Sequence, residues 1–217
     1  MIDFNDVVKS YSVGTQALKG VSMQIEDGDF VFLVGPSGSG KSTIIKLITG
    51  ELKPTSGSVH VNGYSLERIR KREIPYLRRT VGVVYQDFRL IDNMTVYDNV
   101  AFAMRVIGAR EKEIRERVPY VLELVGLQNK SRRHPTELSG GEQQRVAIAR
   151  ALGMDTHILL ADEPTGNLDT ANGENVLAIL QDLAHKEGYC VIVVTHDEEI
   201  GRRADHTLRL QDGVLLD

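Results

Sequence analysis

The sequence has a single cysteine, Cys190, among 217 residues. No intramolecular disulfide can form, which fits a reducing, cytosolic compartment. No run approaches the roughly 18 consecutive apolar residues that a membrane span needs, so no transmembrane helix is expected. The first residues, Met1-Ile-Asp-Phe-Asn-Asp, are acidic and lack the basic start and apolar stretch of a secretory leader. Positive charge is not in excess: 26 Lys and Arg stand against 30 Asp and Glu, for a net charge of −4. That argues against a nucleic-acid footprint spread over the whole surface. Repeats, low-complexity tracts and long linkers are also missing. Asn93-Met-Thr95 and Asn129-Lys-Ser131 have the spacing of glycosylation sites, without meaning in a cytosolic chain. What remains is one sizeable domain, long enough to bury a core without disulfides or metals.

Short apolar strands punctuate the chain. Val21, Met23 and Ile25 alternate with polar residues. Phe30–Val34, Val81–Tyr85, Ile158–Ala161 and Val191–Val194 are continuous apolar runs, as expected of strands buried on both faces. Gly57–Gly63 reads as a strand ending in an Asn-Gly turn, and the tail from Thr207 as a terminal hairpin. Residues 94–127 change character, within a strand-poor middle of about 87–137. Val96, Val100 and Met104 lie four apart, as do Ile114, Val118 and Leu122, which predicts helix. Pro119 predicts a kink or a new helix start. The expected architecture is an α/β core with a largely parallel sheet, an N-terminal antiparallel β part and an inserted helical lobe. Residues 1–86 and 138–217 would form the β and core parts of this single domain.

Gly35-Pro36-Ser37-Gly38-Ser39-Gly40-Lys41-Ser42-Thr43 follows an apolar strand and opens a helix, which is the phosphate-loop pattern in its proper context. Glycines let successive N–H groups converge on one anion, and the helix N-terminus adds its dipole. Lys41 supplies positive charge for the β- and γ-phosphates of ATP, and the Ser42 hydroxyl is a hard oxygen donor suited to Mg²⁺. A second strand ends in Asp162-Glu163. Two acids at the tip of a buried strand need a reason, and a neighbouring Mg²⁺–phosphate site gives one. Asp162 would orient Mg²⁺ and Glu163 would polarise the attacking water. Alone, the pair reads equally well as an acidic helix cap.

Leu138-Ser139-Gly140-Gly141-Glu142-Gln143-Gln144 resembles the signature motif of ABC ATPases, with Glu142 where the usual pattern has glutamine. It lies between the phosphate loop and the Asp162-Glu163 strand, as in that family. Taken by itself, Ser139-Gly-Gly before a helix is a second anion cradle with a capping hydroxyl. The resemblance implies a head-to-tail homodimer in which each signature caps the ATP on the other copy's phosphate loop. It further implies that Gln86 contacts Mg²⁺ and water, that Asp169 lies in a loop crossing the dimer interface, that His196 contacts the γ-phosphate, and that Tyr11 stacks on adenine. Read alone, His196 is more often structural and Tyr11 equally often a packing residue. The motifs look most like the branch containing FtsE, LolD and MacB. The stretches 72–79, 85–90 and 95–100 are similar to the FtsE family of bacterial cell-division ATPases.

That likeness implies an integral membrane partner of FtsX type, work at the cytoplasmic face of the inner membrane, and control of cell-wall hydrolases at the division site. The partner would dock between the glutamine loop and the helical lobe, near residues 87–105. No nucleic acid and no covalent cofactor are implied. Lipoprotein-release or export systems of LolD and MacB type, and a soluble nucleic-acid-associated ATPase, stay open as alternatives. Residues 68–79 carry Arg68, Arg70, Lys71, Arg72, Arg78 and Arg79 against Glu73 alone. They read as a solvated face, a membrane-facing basic patch, or a nucleic-acid contact.

Overall fold

The computed structural model describes residues 1–11, 14–154, 156–197 and 204–216. Two sheets organise it. The first is antiparallel, in the order β2-β1-β4-β5, built from β1 (Ile2–Ser10), β2 (Gln16–Ile25), β4 (Ser56–Val61) and β5 (Tyr64–Ser65). Its period-2 pattern is explicit in β2, where Val21, Met23 and Ile25 are buried between exposed neighbours. Asn62 and Gly63 both have positive φ, which closes the tight turn between β4 and β5.

The second sheet has six strands in the order β10-β9-β3-β8-β7-β6. These are β3 (Phe30–Val34), β6 (Val81–Val84), β7 (Ile158–Asp162), β8 (Cys190–Thr195), β9 (His206–Gln211) and β10 (Val214–Leu216). All neighbours pair in parallel except β9 with β10, the terminal hairpin. The strands β3 and β8 are buried at every residue, which explains their unbroken apolar runs. One face packs against α3 (Val96–Val106), α4 (Glu111–Leu124), α5 (Gly140–Gly153) and α6 (Thr170–His185). The other packs against α1 (Lys41–Ile48), the antiparallel sheet and α2 (Ile74–Arg79).

The predicted helical stretch between β6 and the signature is helical. Val96, Val100, Met104, Ile114, Val118 and Leu122 are all buried on its inner face. Pro119 does not start a new helix. Helix α4 begins at Glu111, where the Glu113 carboxylate accepts from the Arg110 amide at 2.8 Å, and runs past Pro119 to Leu124. Pro119 and Arg115, whose carbonyl would bond its missing N–H, both lie on the exposed side, so water can take that carbonyl. Burial of Ile114, Val118, Val121 and Leu122 holds the helix together across the proline.

Candidate functional site

The chemistry-bearing residues gather at the C-terminal ends of four adjacent parallel strands. In spatial order β3 leads into the phosphate loop, β8 into His196, β7 into Asp162-Glu163, and β6 into Gln86. This is the edge of a parallel sheet where α/β proteins bind ligands.

Between β3 and α1 the loop turns so tightly that side chains are excluded. A Cβ on Gly35 would lie 2.1 Å from the Leu210 carbonyl oxygen, and one on Gly40 would lie 2.7 Å from that of Ala17. Gly40 caps α1 at φ 115°, a conformation natural to glycine. Lys41 is nearly buried, and its ammonium donates to the carbonyls of Gly35 and Pro36, holding the loop curled. Burial lowers the Lys41 pKa, while Glu163 and then Asp162 oppose that shift.

A cleft of about 330 Å³ opens over this loop, lined among others by Tyr11, Ser37, Lys41, Ser42, Asp162 and Glu163. The hydroxyl of Tyr11 lies 3.2 Å from that of Thr43, which places the ring at the mouth of the cleft. Glu163 has φ 47°, and its amide donates to the Val194 carbonyl at 2.8 Å. That bond locks the tip of β7 to β8 and brings Glu163 Oε1 within 2.9 Å of His196 Nδ1. Asp162 is held above the usual carboxylate range, chiefly by burial and next by the Glu163 charge, with Lys41 pulling the other way.

A second cleft of about 450 Å³ adjoins the first and is lined by Tyr85, Gln86, Asp87, Arg89, Asp162 and Asn167. Asp162 therefore belongs to both. Gln86 and Asn167 form a reciprocal pair: Gln86 Nε2 donates to Asn167 Oδ1 at 3.2 Å, and Asn167 Nδ2 to the Gln86 carbonyl at 2.9 Å. Just beyond, Phe88 and Arg89 have φ of 56° and 50°, a left-handed pair without a glycine. Arg150 of α5 donates to both of their carbonyls.

The residues fit a nucleoside triphosphate with Mg²⁺. Ser39 Oγ is buried in the loop with no hydrogen-bond partner among the described residues, as an anion cradle leaves it. The glycine cradle is one that a Cβ would fill. Ser42 and Asp162 line one cleft and offer hard oxygen donors. That suits Mg²⁺, which keeps waters and phosphate oxygens as its other ligands.

The signature lies apart from this cleft. Ser139, Gly140, Gly141 and Glu142 are absent from its lining. Ser139 caps α5 and accepts from the Glu142 amide at 3.3 Å, while the Glu142 carboxylate accepts from the Ser139 amide at 2.9 Å. Lys130 pairs with Glu142 at 3.0 Å. The backbone bond from Ser139, then Lys130, holds the Glu142 carboxyl below its usual range. Asp169 likewise caps α6 and accepts from the amide and side chain of Asn172.

The ABC transporter family model matches residues 18–166, well over half of the chain. The chain belongs to the ABC transporter family. It is 45% identical to the cell division ATP-binding protein FtsE of Bacillus subtilis over all of its own length and 95% of the relative's. It is 50% identical to FtsE of Mycobacterium tuberculosis, over 92% of this chain and 87% of that one. Among solved structures it is similar to the dimeric bacterial ABC transporter cassette MJ0796, at 38% identity and a TM-score of 0.86, covering 100% of this chain and 97% of that one. A second structure of that cassette, a dimeric post-hydrolysis state bound to ADP and Pi, is 37% identical with a TM-score of 0.85, again covering 100% of this chain and 97% of that one. As a member of the ABC transporter family with relatives this similar, the chain is an FtsE-like ATP-binding, ATP-hydrolysing cassette.

Within the ABC frame, sequence reasoning missed three residues. Asn167 stands inside the loop named for Asp169 and is the partner of Gln86. Asn99 is fully buried and ties residues 91–95 to α3 through four hydrogen bonds. Arg150 holds the turn after Gln86. Asn167 and Asn99 lay in stretches already marked, but nothing in the spacing distinguishes Asn99 or Arg150.

Proposed function

We propose that this cassette is the ATP-hydrolysing subunit of a bacterial cell-division complex, acting as a head-to-tail homodimer on an integral membrane partner of FtsX type. Lys41 and the loop amides hold the β- and γ-phosphates. Tyr11 stacks on adenine at the cleft mouth. Ser42 and Asp162 would hold Mg²⁺, with Gln86 at the adjoining wall, and Mg²⁺ when bound neutralises charge on the phosphate oxygens. Glu163 orients and polarises the attacking water, and His196 steadies Glu163 and faces the γ-phosphate. The signature from Ser139 to Glu142 belongs to the site of the second copy, beside the interface loop at Asp169.

Phosphoryl transfer asks mainly for positioning and charge neutralisation, and these residues supply both. Closure on two ATP would bring the helical lobes together. Phe102 and Val106 are exposed on α3 and offer an apolar face for the partner. Work at the cytoplasmic face of the inner membrane, at the division site, follows from that partner, with cell-wall hydrolases downstream.

The observation that carries the reading is Glu163, which lines one cleft with Lys41 and lies within 2.9 Å of His196 Nδ1. The test is Glu163→Gln. We expect retained ATP binding, turnover reduced by a factor on the order of 10² or more, and accumulation of a dimer on ATP. Hydrolysis at the parental rate would remove Glu163 from its role. Co-purification of a membrane protein with this chain, and its identity, separates the cell-division assignment from lipoprotein release or export.

A further inference from the structure

The segment from Arg68 to Arg79 carries a charge of +5 in a chain of net charge −4, so the remaining residues carry −9. The structure makes this window a surface. Arg68, Arg70, Lys71, Arg72 and Arg78 are all exposed. Tyr76 is 56% exposed in their midst, next to exposed Pro75, and the Arg79 guanidinium lies 5.2 Å from its ring centroid. The platform beneath is fixed, because Leu66 and Leu77 are fully buried and Ile69 nearly so. The nearby acids are turned to local tasks. Glu73 accepts from the Arg70 amide at 2.8 Å, and Glu67 accepts from the Ser65 hydroxyl at 2.6 Å. Lys53 donates to the Ile69 carbonyl at 2.8 Å and adds to the positive field.

The position is also informative. Helix α2 enters β6 at its N-terminal end, whereas Gln86 follows the C-terminal end. Strand β6 is the outer strand of the six-stranded sheet. The basic surface therefore sits on the rim of the domain, roughly 13 Å of strand away from the nucleotide edge.

We propose that the surface formed by Arg68, Arg70, Lys71, Arg72 and Arg78 around Tyr76 binds an anionic lipid bilayer directly. A turn and short helix match a headgroup layer: they bear exposed cations, of which Arg78 is steadied by donating to the Thr49 carbonyl at 3.1 Å, and one exposed amphipathic ring. Single-stranded nucleic acid would call for several stacking rings along a groove, and the patch presents one. The attraction acts within about 10 Å at ordinary salt, so the local +5 outweighs the distant negative charge. This binding is separate from the membrane partner proposed above.

The experiment uses the whole chain and vesicles free of protein. The chain has no tryptophan, so Tyr76→Trp introduces a single fluorescent reporter at the patch. Its emission is expected to shift blue with vesicles of 30% phosphatidylglycerol in phosphatidylcholine and to stay unchanged with phosphatidylcholine alone. The binding should fade with added salt. In co-sedimentation, replacing Arg70, Lys71 and Arg72 together by Gln should weaken partition about 100-fold, at about fivefold per charge, with ATP binding unchanged. Arg68→Glu is a second, milder variant, with an expected loss of about 25-fold. Equal partition of parental and variant chains would overturn the proposal. So would the absence of any reporter shift, or tight binding of polyuridylate RNA with none to the anionic vesicles. Failure of the membrane-partner reading leaves these outcomes untouched, because no partner is present in the assay.

Discussion

Arg150, about three turns into the helix that the Ser139 cap begins, donates to the Phe88 carbonyl at 2.9 Å. It also donates to the Arg89 carbonyl, so one guanidinium holds two consecutive left-handed residues. Each such residue costs roughly 1 kcal/mol or more and persists only where its surroundings enforce it. Burial lowers the Arg150 pKa, first by desolvation and next by the Arg89 charge, without removing its role as a donor. Arg150→Met should therefore destabilise the fold by about 2 kcal/mol, since two carbonyls lose a charged donor. Arg150→Lys should recover part of that loss. Denaturant unfolding measures both, and a neutral Arg150→Met would show that the turn stands unaided.

Asp162 illustrates a site assembled against its own stability. Its folded pKa lies above the unfolded value of 3.8, because burial and Glu163 disfavour the charge. For a raised carboxylate the favourable contribution exists below about pH 3.8 and is lost as pH rises through the folded pKa. At neutral pH the carboxylate is thus a liability in the nucleotide-free chain. Asp162→Asn should raise the melting temperature by about 2–4 °C at pH 7 while abolishing hydrolysis, and the gain should narrow on acidification. An unchanged or lower melting temperature at pH 7 would contradict this.

Glu142 stands where most signatures have glutamine, and its work is capping. Its folded pKa lies below the unfolded value of 4.5, through the Ser139 amide and Lys130. The associated stability is present above about pH 4.5 and lost as pH falls through the folded pKa. Glutamine preserves the capping box but not the ion pair. Glu142→Gln should cost only about 0.5 kcal/mol at pH 7, with the difference vanishing as pH falls through the depressed folded pKa, and should leave ATP turnover within about twofold. A large loss of turnover would assign the carboxylate a direct part in the chemistry.

Cys190 begins β8 and is wholly buried, with its thiol pushed up to about 12 by desolvation. It should resist thiol reagents in the native chain at pH 8 and react only on unfolding. Labelling by a disulfide-exchange reagent under increasing denaturant should follow the unfolding curve. Rapid labelling of the native chain would show that β8 opens on its own.

Much of the fold was legible because each buried strand announces itself as an apolar run and each core helix as a four-residue spacing. Phe30–Val34 and Ile114–Val118–Leu122 are of this kind. The phosphate loop was legible because glycine, lysine and serine at fixed offsets have few other uses. Arg150, Asn99 and Asn167 were not, because their partners lie elsewhere in the chain or on unmarked backbone. Arg150 is 62 residues from Phe88, and Asn167 is 81 from Gln86. The left-handed pair at Phe88 and Arg89 carries no glycine to give it away. Of the two outcomes expected at Pro119, a new helix start does not occur, since burial on both sides carries the helix through.

The strand order has a consequence for how the protein is made. Lys41 precedes His196 by 155 residues, yet β8 lies between the strands of Lys41 and Asp162. At about 5–20 residues per second, the ribosome finishes the phosphate loop roughly 8–30 s before the strand that brings its catalytic neighbours alongside. During that interval β3 and β7 have no shared neighbour, and the acids cannot be held opposite the lysine. The late insertion of β8 therefore works as an assembly interlock. The Lys41–Glu163–His196 arrangement is complete only once β8 has been synthesised.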